Sequence, residues 1–202
     1  PTGGVYTVMQ NDDIKFRFET DEGYGLDFKE LSYSRIKGNQ TVQPKNLPGV
    51  HPLVKTTYWD VNDAENPHRE AEAIVIDAGT ATLWDGNWYV VTGKVSRASI
   101  VVKGTVNLIL ADGAKLTAQK GDYYAHPAGI VVGPGNELTI WGQDAGTGTL
   151  VATGEQQGAG IGGSKDGACG TVTINGGTVT ATGGDESAGI GGGWFDAGEA
   201  GA

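Results

Sequence analysis

The sequence predicts an all-β chain: a small β-rich N-terminal segment, then a right-handed, single-stranded parallel β-helix of about thirty residues per coil. Three observations predict it. Glycine supplies 35 of the 202 residues, and threonine (20) outnumbers leucine (10) two to one. Such a composition disfavours a helical bundle and favours short strands divided by sharp corners. Second, Ala98-x-Ile100 returns as Ala128-Gly-Ile130, Ala159-Gly-Ile161 and Ala188-Gly-Ile190, at steps of 30, 31 and 29 residues. A fixed period of that length marks stacked repeats. Third, two more strand-like runs recur inside each period. One is Val106-Asn-Leu-Ile-Leu110, Leu138-Thr-Ile-Trp141 and Val172-Thr-Ile-Asn175; the other is Leu116-Thr-Ala118, Leu150-Val-Ala152 and Val179-Thr-Ala181. Three short strands and three corners per period describe a coil rather than a meander. Collagen is excluded because no Gly-X-Y period exists.

Residues 1–58 form the β-rich segment, with six glycines and most of the Phe and Tyr residues. Val5 to Val8 and Ile14 to Phe18 alternate, and Gln10-Asn-Asp-Asp13 reads as the turn between them. Gln43 to Pro52 has linker composition, and Asp60 to Arg69 reads as polar loop. Residues 59–97 thus form a linker and a capping hairpin. The hairpin is Thr82 to Tyr89, centred on Asp85-Gly86, laid as a lid over the open end of the first coil. Residues 98–202 are coils. The final Gly193-Trp-Phe-Asp196 reads as the start of another coil cut short, which raises end-to-end self-association through the open last coil.

Strand alternation assigns faces. Leu108, Leu110, Leu138, Ile140, Val172 and Ile174 share the inward parity, as do Leu116, Leu150 and Val179 with Ala118, Ala152 and Ala181. Asn107, Ile109, Thr139, Trp141, Thr173 and Asn175 take the outward one. Stacking coils about 4.8 Å apart would turn equivalent inward residues into aliphatic ladders. Gly158-Ala-Gly-Ile-Gly-Gly163 fits a dinucleotide-loop pattern, but it recurs at 187–192 and no helical pattern follows to face a pyrophosphate. It is a corner.

Charge narrows the partners. The net charge is −10, and residues 121–202 carry one basic residue, Lys165, against nine acids. Nucleic acid and anionic lipid are disfavoured. No apolar run approaches the ~18 residues of a membrane span. Cys169 alone cannot form an intramolecular disulfide and suits a small buried hydrophobe. Pro1 is not a native start, so upstream sequence is expected to have been removed. Loop carboxylates Asp166, Asp185 and Glu186 are the candidates for weakly bound calcium, without the spacing of a calcium loop. No other metal or cofactor is expected.

Several of these stretches carry a family resemblance. Trp88-Tyr-Val-Val91, Val106 to Ala118, Leu138-Thr-Ile-Trp141, Ala159-Gly-Ile-Gly-Gly163 and Cys169 to Gly184 resemble a glycine-rich repeat of large secreted or cell-surface proteins of gut-type anaerobic bacteria. Those repeats have a pectate-lyase-like parallel β-helix, and the resemblance covers about residues 83–193. It implies an extracellular or cell-surface bacterial module and brings no catalytic residues. Asp122 to Pro127 departs from the pattern as an insertion. Tyr6-Thr-Val-Met9 and Asp13-Ile-Lys-Phe16 also resemble the closing hairpin of extracellular Ig-like β-repeat modules, although Gln10 replaces that family's proline.

β-Helices of this kind also host polysaccharide lyases and hydrolases, so a polysaccharide-active enzyme is the alternative to a non-catalytic module. A hydrolase needs two carboxylates about 5–9.5 Å apart across one sugar bond. The outward positions of the second recurrent strand hold none. The candidate ligand site is therefore aromatic: Trp141 on the outward face and Tyr123 and Tyr124 in the insertion could stack on a polysaccharide or surface glycan, with Asn175 and Gln143 bonding its hydroxyls. The competing reading is that Trp141 packs against a neighbouring segment and shields the coil. The sequence thus predicts a structural, adhesive or glycan-binding module.

Overall fold

The computed structural model describes residues 6–8, 14–17, 24–26, 30–33, 40–42, 50–119 and 127–194. The chain divides into two compact units, Pro1–Leu53 and Val54–Ala202. The first contains β1 (Tyr6–Val8), β2 (Ile14–Arg17), β3 (Tyr24–Leu26), β4 (Glu30–Tyr33), β5 (Gln40–Val42) and the start of β6 (Val50–Trp59). Among the described residues its pairings are antiparallel: β1 with β5, β2 with β4, and β3 with residues 50–52. β1 and β2 do not form the expected hairpin with each other. Each takes a partner from later in the chain, so the polar stretch between them dictates no pairing. The expected linker at 43–52 likewise runs into a strand from Val50.

The second unit continues β6 and adds β7 (His68–Val75), β8 (Thr82–Trp84), β9 (Trp88–Val91), β10 (Lys94–Arg97), β11 (Ile100–Lys103), β12 (Thr105–Leu110) and β13 (Lys115–Gln119). Then come β14 (Ile130–Val131), β15 (Glu137–Gly142), β16 (Thr149–Thr153), β17 (Ile161–Gly162), β18 (Thr171–Ile174), β19 (Thr178–Thr182) and β20 (Ile190–Gly191). From β8 onward the strands visit three parallel sheets in rotation. Sheet 1 orders β9-β12-β15-β18, with β7 and β6 beyond β9; sheet 2 is β10-β13-β16-β19; sheet 3 is β8-β11-β14-β17-β20.

The inward ladders form as the alternation requires. Leu108 pairs with Ile140 and Ile140 with Ile174; Leu116 with Leu150 and Leu150 with Val179; Ile100, Ile130, Ile161 and Ile190 align across sheet 3. Leu108, Leu110, Leu116, Leu138, Ile140 and Leu150 are buried, each contributing about 1.5–3 kcal/mol of transfer free energy. The last rung differs: Ile174 and Ile190 are 43% and 45% exposed.

Thr82 to Tyr89 do not form a capping hairpin. β8, β9 and β10 run parallel to β11, β12 and β13, so Asp85-Gly86 is a corner within an additional turn of the solenoid. An Asp-Gly pair serves either geometry, since Gly86 supplies the left-handed φ of 74° that both require. What decides is that Leu83 and Tyr89, both buried, find equivalent partners one turn on. The expected loop 60–69 likewise gives way at His68, where β7 begins.

Corners leave backbone groups outside the ladders, and polar side chains from adjacent turns satisfy them. The Asp85 carboxylate accepts the Thr105 N–H at 2.9 Å, and the Asn136 amide oxygen accepts the Gly104 N–H at 2.7 Å. Asp112 accepts the Ala145 and Thr147 N–H groups, both at 3.0 Å, and the Thr147 hydroxyl at 3.2 Å. Burial opposes ionisation of Asp112, yet these donors together outweigh it and hold its pKa below the usual carboxylate range.

Candidate functional site

The outer face of sheet 1 is covered by the chain itself. β6 and β7 are neighbours joined by residues 60–67, and the Asp60 N–H closes the connection on the Pro67 carbonyl at 2.8 Å. Inside the connection Asp63 accepts the Asn66 and Glu65 N–H groups and pairs with Arg69. This hairpin sets up a second core outside the solenoid. Ala73, Val90 and Ile109 are its buried centre, flanked by Val54, Tyr58, Ala71, Trp88, Ala111 and Trp141. Ile109 is outward by parity, as expected, yet fully buried within this second core.

Trp141 stands in this second core. Its rung partner is Ile109. Its ring meets Tyr58 at 4.9 Å between centroids and Trp88 at 6.0 Å, and Tyr58 meets Trp88 at 4.6 Å. The indole N–H donates to the Asn107 amide oxygen at 2.9 Å. The three rings therefore make one cluster between hairpin and solenoid. Burial, helped by the Asp60 carboxylate and opposed by Arg69, pushes the Tyr58 phenol above its ordinary pKa.

Gln143 fastens the same joint. Its side-chain oxygen accepts the Asp112 N–H at 2.9 Å, while its amide group donates to the Thr57 carbonyl at 3.0 Å and the Thr56 hydroxyl at 3.2 Å. His68 Nδ1 lies 3.2 Å from an Asp144 carboxylate oxygen, with both side chains more than half exposed. That pair contributes little. Asn175 sits one rung beyond Ile140, whose carbonyl accepts its backbone N–H at 2.8 Å. Tyr123 and Tyr124 lie outside the described residues. The structure thus joins Trp141 and Gln143 through the hairpin, and nothing in the sequence pattern pairs β6 with β15; Tyr58 and Trp88 are the residues the sequence reading missed.

Asp166 lies in the corner after sheet 3, Asp185 and Glu186 in the corner after sheet 2. Among the described residues no group of three or more His, Cys, Asp or Glu side chains converges as a metal site. Asp166 and Glu186 instead hold left-handed backbone, φ 55° and 59°, as does Gln157 at 67°. Cys169 is half-buried, and burial raises its thiol pKa.

Sheet 2 offers a different surface. Registers place Lys94, Lys115, Thr149 and Thr178 in one outward column, Ser96, Thr117, Val151 and Thr180 in the next, and Gln119, Thr153 and Thr182 in a third. Every one of these is exposed or half-exposed. No acid stands at these outward strand positions.

Strands that visit three parallel sheets in turn, stacking like on like, define a parallel β-helix protein. A family model described as Beta helix repeat matches residues 145–165 and 172–194, which are the turns containing β16–β17 and β18–β20. Comparison with curated proteins and with solved structures gives no match.

Proposed function

We propose that this chain is a non-catalytic module of a secreted or cell-surface bacterial protein, a right-handed single-stranded β-helix of about thirty residues per coil that serves as scaffold and binding platform. The observation that carries the reading is the hairpin on sheet 1. The outward positions there run Trp88 and Val90; Thr105, Asn107 and Ile109; Glu137, Thr139 and Trp141; and Thr171 and Thr173, with Asn175 next; the hairpin buries or engages their aromatic centre. A glycosidase needs two carboxylates facing one sugar bond, and these positions offer one, Glu137, which accepts the Thr105 hydroxyl at 3.2 Å. Incubating the protein with pectin, alginate and neutral polysaccharides should release no reducing ends and no unsaturated product absorbing in the ultraviolet. Product from any of them would establish the polysaccharide-active alternative. The extracellular placement rests on the resemblance of the repeats, and fractionating cells that make the native protein tests it.

End-to-end stacking of copies is favoured by the exposed Ile174 and Ile190 on the last rung. Sedimentation should show association that weakens in Ile174→Lys; identical behaviour of both proteins would refute it.

A further inference from the structure

We infer that Asn175 is a site of spontaneous deamidation by its own backbone, which converts it to aspartate and isoaspartate and loosens the corner between β18 and β19. Four places in the chain put a glycine directly after Asp or Asn: Asp85-Gly86, Asp112-Gly113, Asp166-Gly167 and Asn175-Gly176. Glycine has no Cβ to shield its nitrogen, so at these places that nitrogen can best approach the preceding side-chain carbonyl carbon. In three of them the nitrogen is engaged. The Gly86 N–H donates to the Thr105 carbonyl at 2.9 Å, that of Gly113 to the Thr147 hydroxyl at 3.0 Å, and that of Gly167 to the Ser164 carbonyl at 2.9 Å. Two of the carboxylates are braced as well, Asp85 by the Thr105 N–H and Asp112 by those of Ala145 and Thr147.

Asn175 differs on each count. Among the described residues neither its side-chain amide nor the Gly176 N–H has a protein partner. Both residues are half-exposed, so water and hydroxide reach them. A second glycine, Gly177 with φ +76°, completes the corner, and no side chain follows Asn175 until Thr178. A neutral amide also accepts a nucleophile more readily than the ionised carboxylates of the other three pairs. Hydroxide takes the Gly176 N–H proton, the nitrogen attacks Asn175 Cγ, and the Cγ–Nδ2 bond breaks to release ammonia and close a succinimide ring. Water then opens the ring. Cleavage between Cγ and the Gly176 nitrogen gives aspartate; cleavage between the Asn175 carbonyl carbon and that nitrogen gives isoaspartate, whose main chain runs through Cβ and Cγ.

The fold meets the two products differently. Aspartate adds one negative charge at a half-exposed position and leaves the main chain unchanged. Isoaspartate lengthens the main chain by one carbon where there is no slack. A Cβ on Gly176 would stand 2.6 Å from the Gly142 nitrogen, and one on Gly142 2.7 Å from the Gly177 nitrogen. The corner is pinned on both sides, by the Asn175 N–H on the Ile140 carbonyl and the Thr178 N–H on the Gly148 carbonyl, each at 2.8 Å. The added atom pushes the corner off Gly142 and strains both anchors.

The test is to age the full chain in mildly alkaline buffer, then unfold and digest it. Lys165 is the last basic residue, so trypsin releases 166–202, in which Asn175 is the sole asparagine and no glutamine occurs. Exchange of NH2 for OH makes that peptide one mass unit heavier, and a protease that cuts before aspartate cleaves the aspartate product at 175 but not the isoaspartate. The heavier peptide should accumulate, with part of it resistant to that cut, while the peptides carrying Asn87, Asn107 and Asn136 keep their mass. Asn175→Gln should lose the gain. Hydrogen exchange in β18 and β19 should be faster in the aged protein than in Asn175→Asp, which carries the charge without the longer main chain. An unchanged 166–202 peptide, or equal gains at the other three asparagines, overturns the site. Conversion with exchange identical to that of Asn175→Asp, or a product cut completely at 175, overturns the loosening.

Discussion

Replacing Trp141 by alanine separates its two readings, glycan contact and internal packing. The indole is half-buried between Tyr58 and Trp88 and hydrogen-bonded to Asn107. A fully buried Trp→Ala change costs about 3–5 kcal/mol. Ring pairs contribute about 0.5–1.5 kcal/mol each, and one hydrogen bond about 1 kcal/mol. A half-buried ring with these partners should therefore cost about 2–3 kcal/mol, or about 5–10 °C in Tm for a unit of this size. Urea titration followed by circular dichroism measures the total. Hydrogen exchange locates it, because the loss should concentrate in the β6–β7 hairpin, at amides such as Ala73, before it reaches the ladders around Leu108. Trp141→Phe should restore the ring contacts and lose the hydrogen bond, recovering about half. A Trp141→Ala protein with less than about 0.5 kcal/mol of destabilisation, and unaltered exchange in β7, would show that the hairpin is not seated on the indole.

Three further outcomes follow from the corners and the single thiol. A Cβ added at Gly163 would lie 2.0 Å from the Gly167 carbonyl oxygen, so Gly163→Ala should cost more than about 3 kcal/mol or prevent folding. Gly146→Ala, with φ +63° but nothing within 4 Å, should cost only about 1 kcal/mol in the same urea titration; equal costs would mean that backbone contact is not what these glycines serve. Asp112 has a lowered pKa in the folded chain, so its stabilising contribution is complete above the unfolded value and disappears as pH falls through the folded one. Acid titration of Asp112→Asn should accordingly show a lower plateau near neutrality and a shallower loss below about pH 4 than the wild type, and parallel curves would refute the assignment. The raised pKa and half-burial of Cys169 should slow its reaction with a disulfide reagent at pH 8 relative to the urea-unfolded chain. Equal rates would contradict that environment.

The solenoid was legible because each repeat restates the same constraint. A ladder residue such as Ile130 must be apolar for the same reason as Ile100 and Ile161, so three independent positions report one geometry. The parity of β12, β15 and β13 followed from two-residue alternation alone. The hairpin was not legible. β6 occurs once, its pairing with β7 is local, and its contact with Trp141 joins residues 83 positions apart with no repeat to betray it. Asp85-Gly86 misled for a related reason, since a left-handed glycine after a carboxylate satisfies a tight hairpin and a solenoid corner alike. Only the wider pairing of Leu83 and Tyr89 distinguishes them. Corner braces such as Asp112 to Thr147 were invisible too, because a carboxylate in a glycine-rich loop reads first as solvated surface.

Coverage of sheet 1 decides where else this molecule can act. A solenoid with three sheets has three outer faces, and they are not equivalent here. The first is covered at its centre by β6 and β7, where Val90 and Ile109 are fully buried, while Glu137 and Thr173 stay exposed. The third narrows to two residues per strand at β14, β17 and β20, so it presents a single outward position on each of those turns. The second keeps strands of four or five residues through four successive turns. Its inward side explains that regularity: Leu116, Leu150 and Val179 stack in one column, and Ala118, Ala152 and Ala181 in the next. Matched volumes beneath the sheet keep its rungs level, and level rungs put the threonine hydroxyls on a repeating grid. The glycine corners make that possible without occupying the face. A repeating ligand fits such a grid better than a single compact one, because each added rung contributes the same contact again.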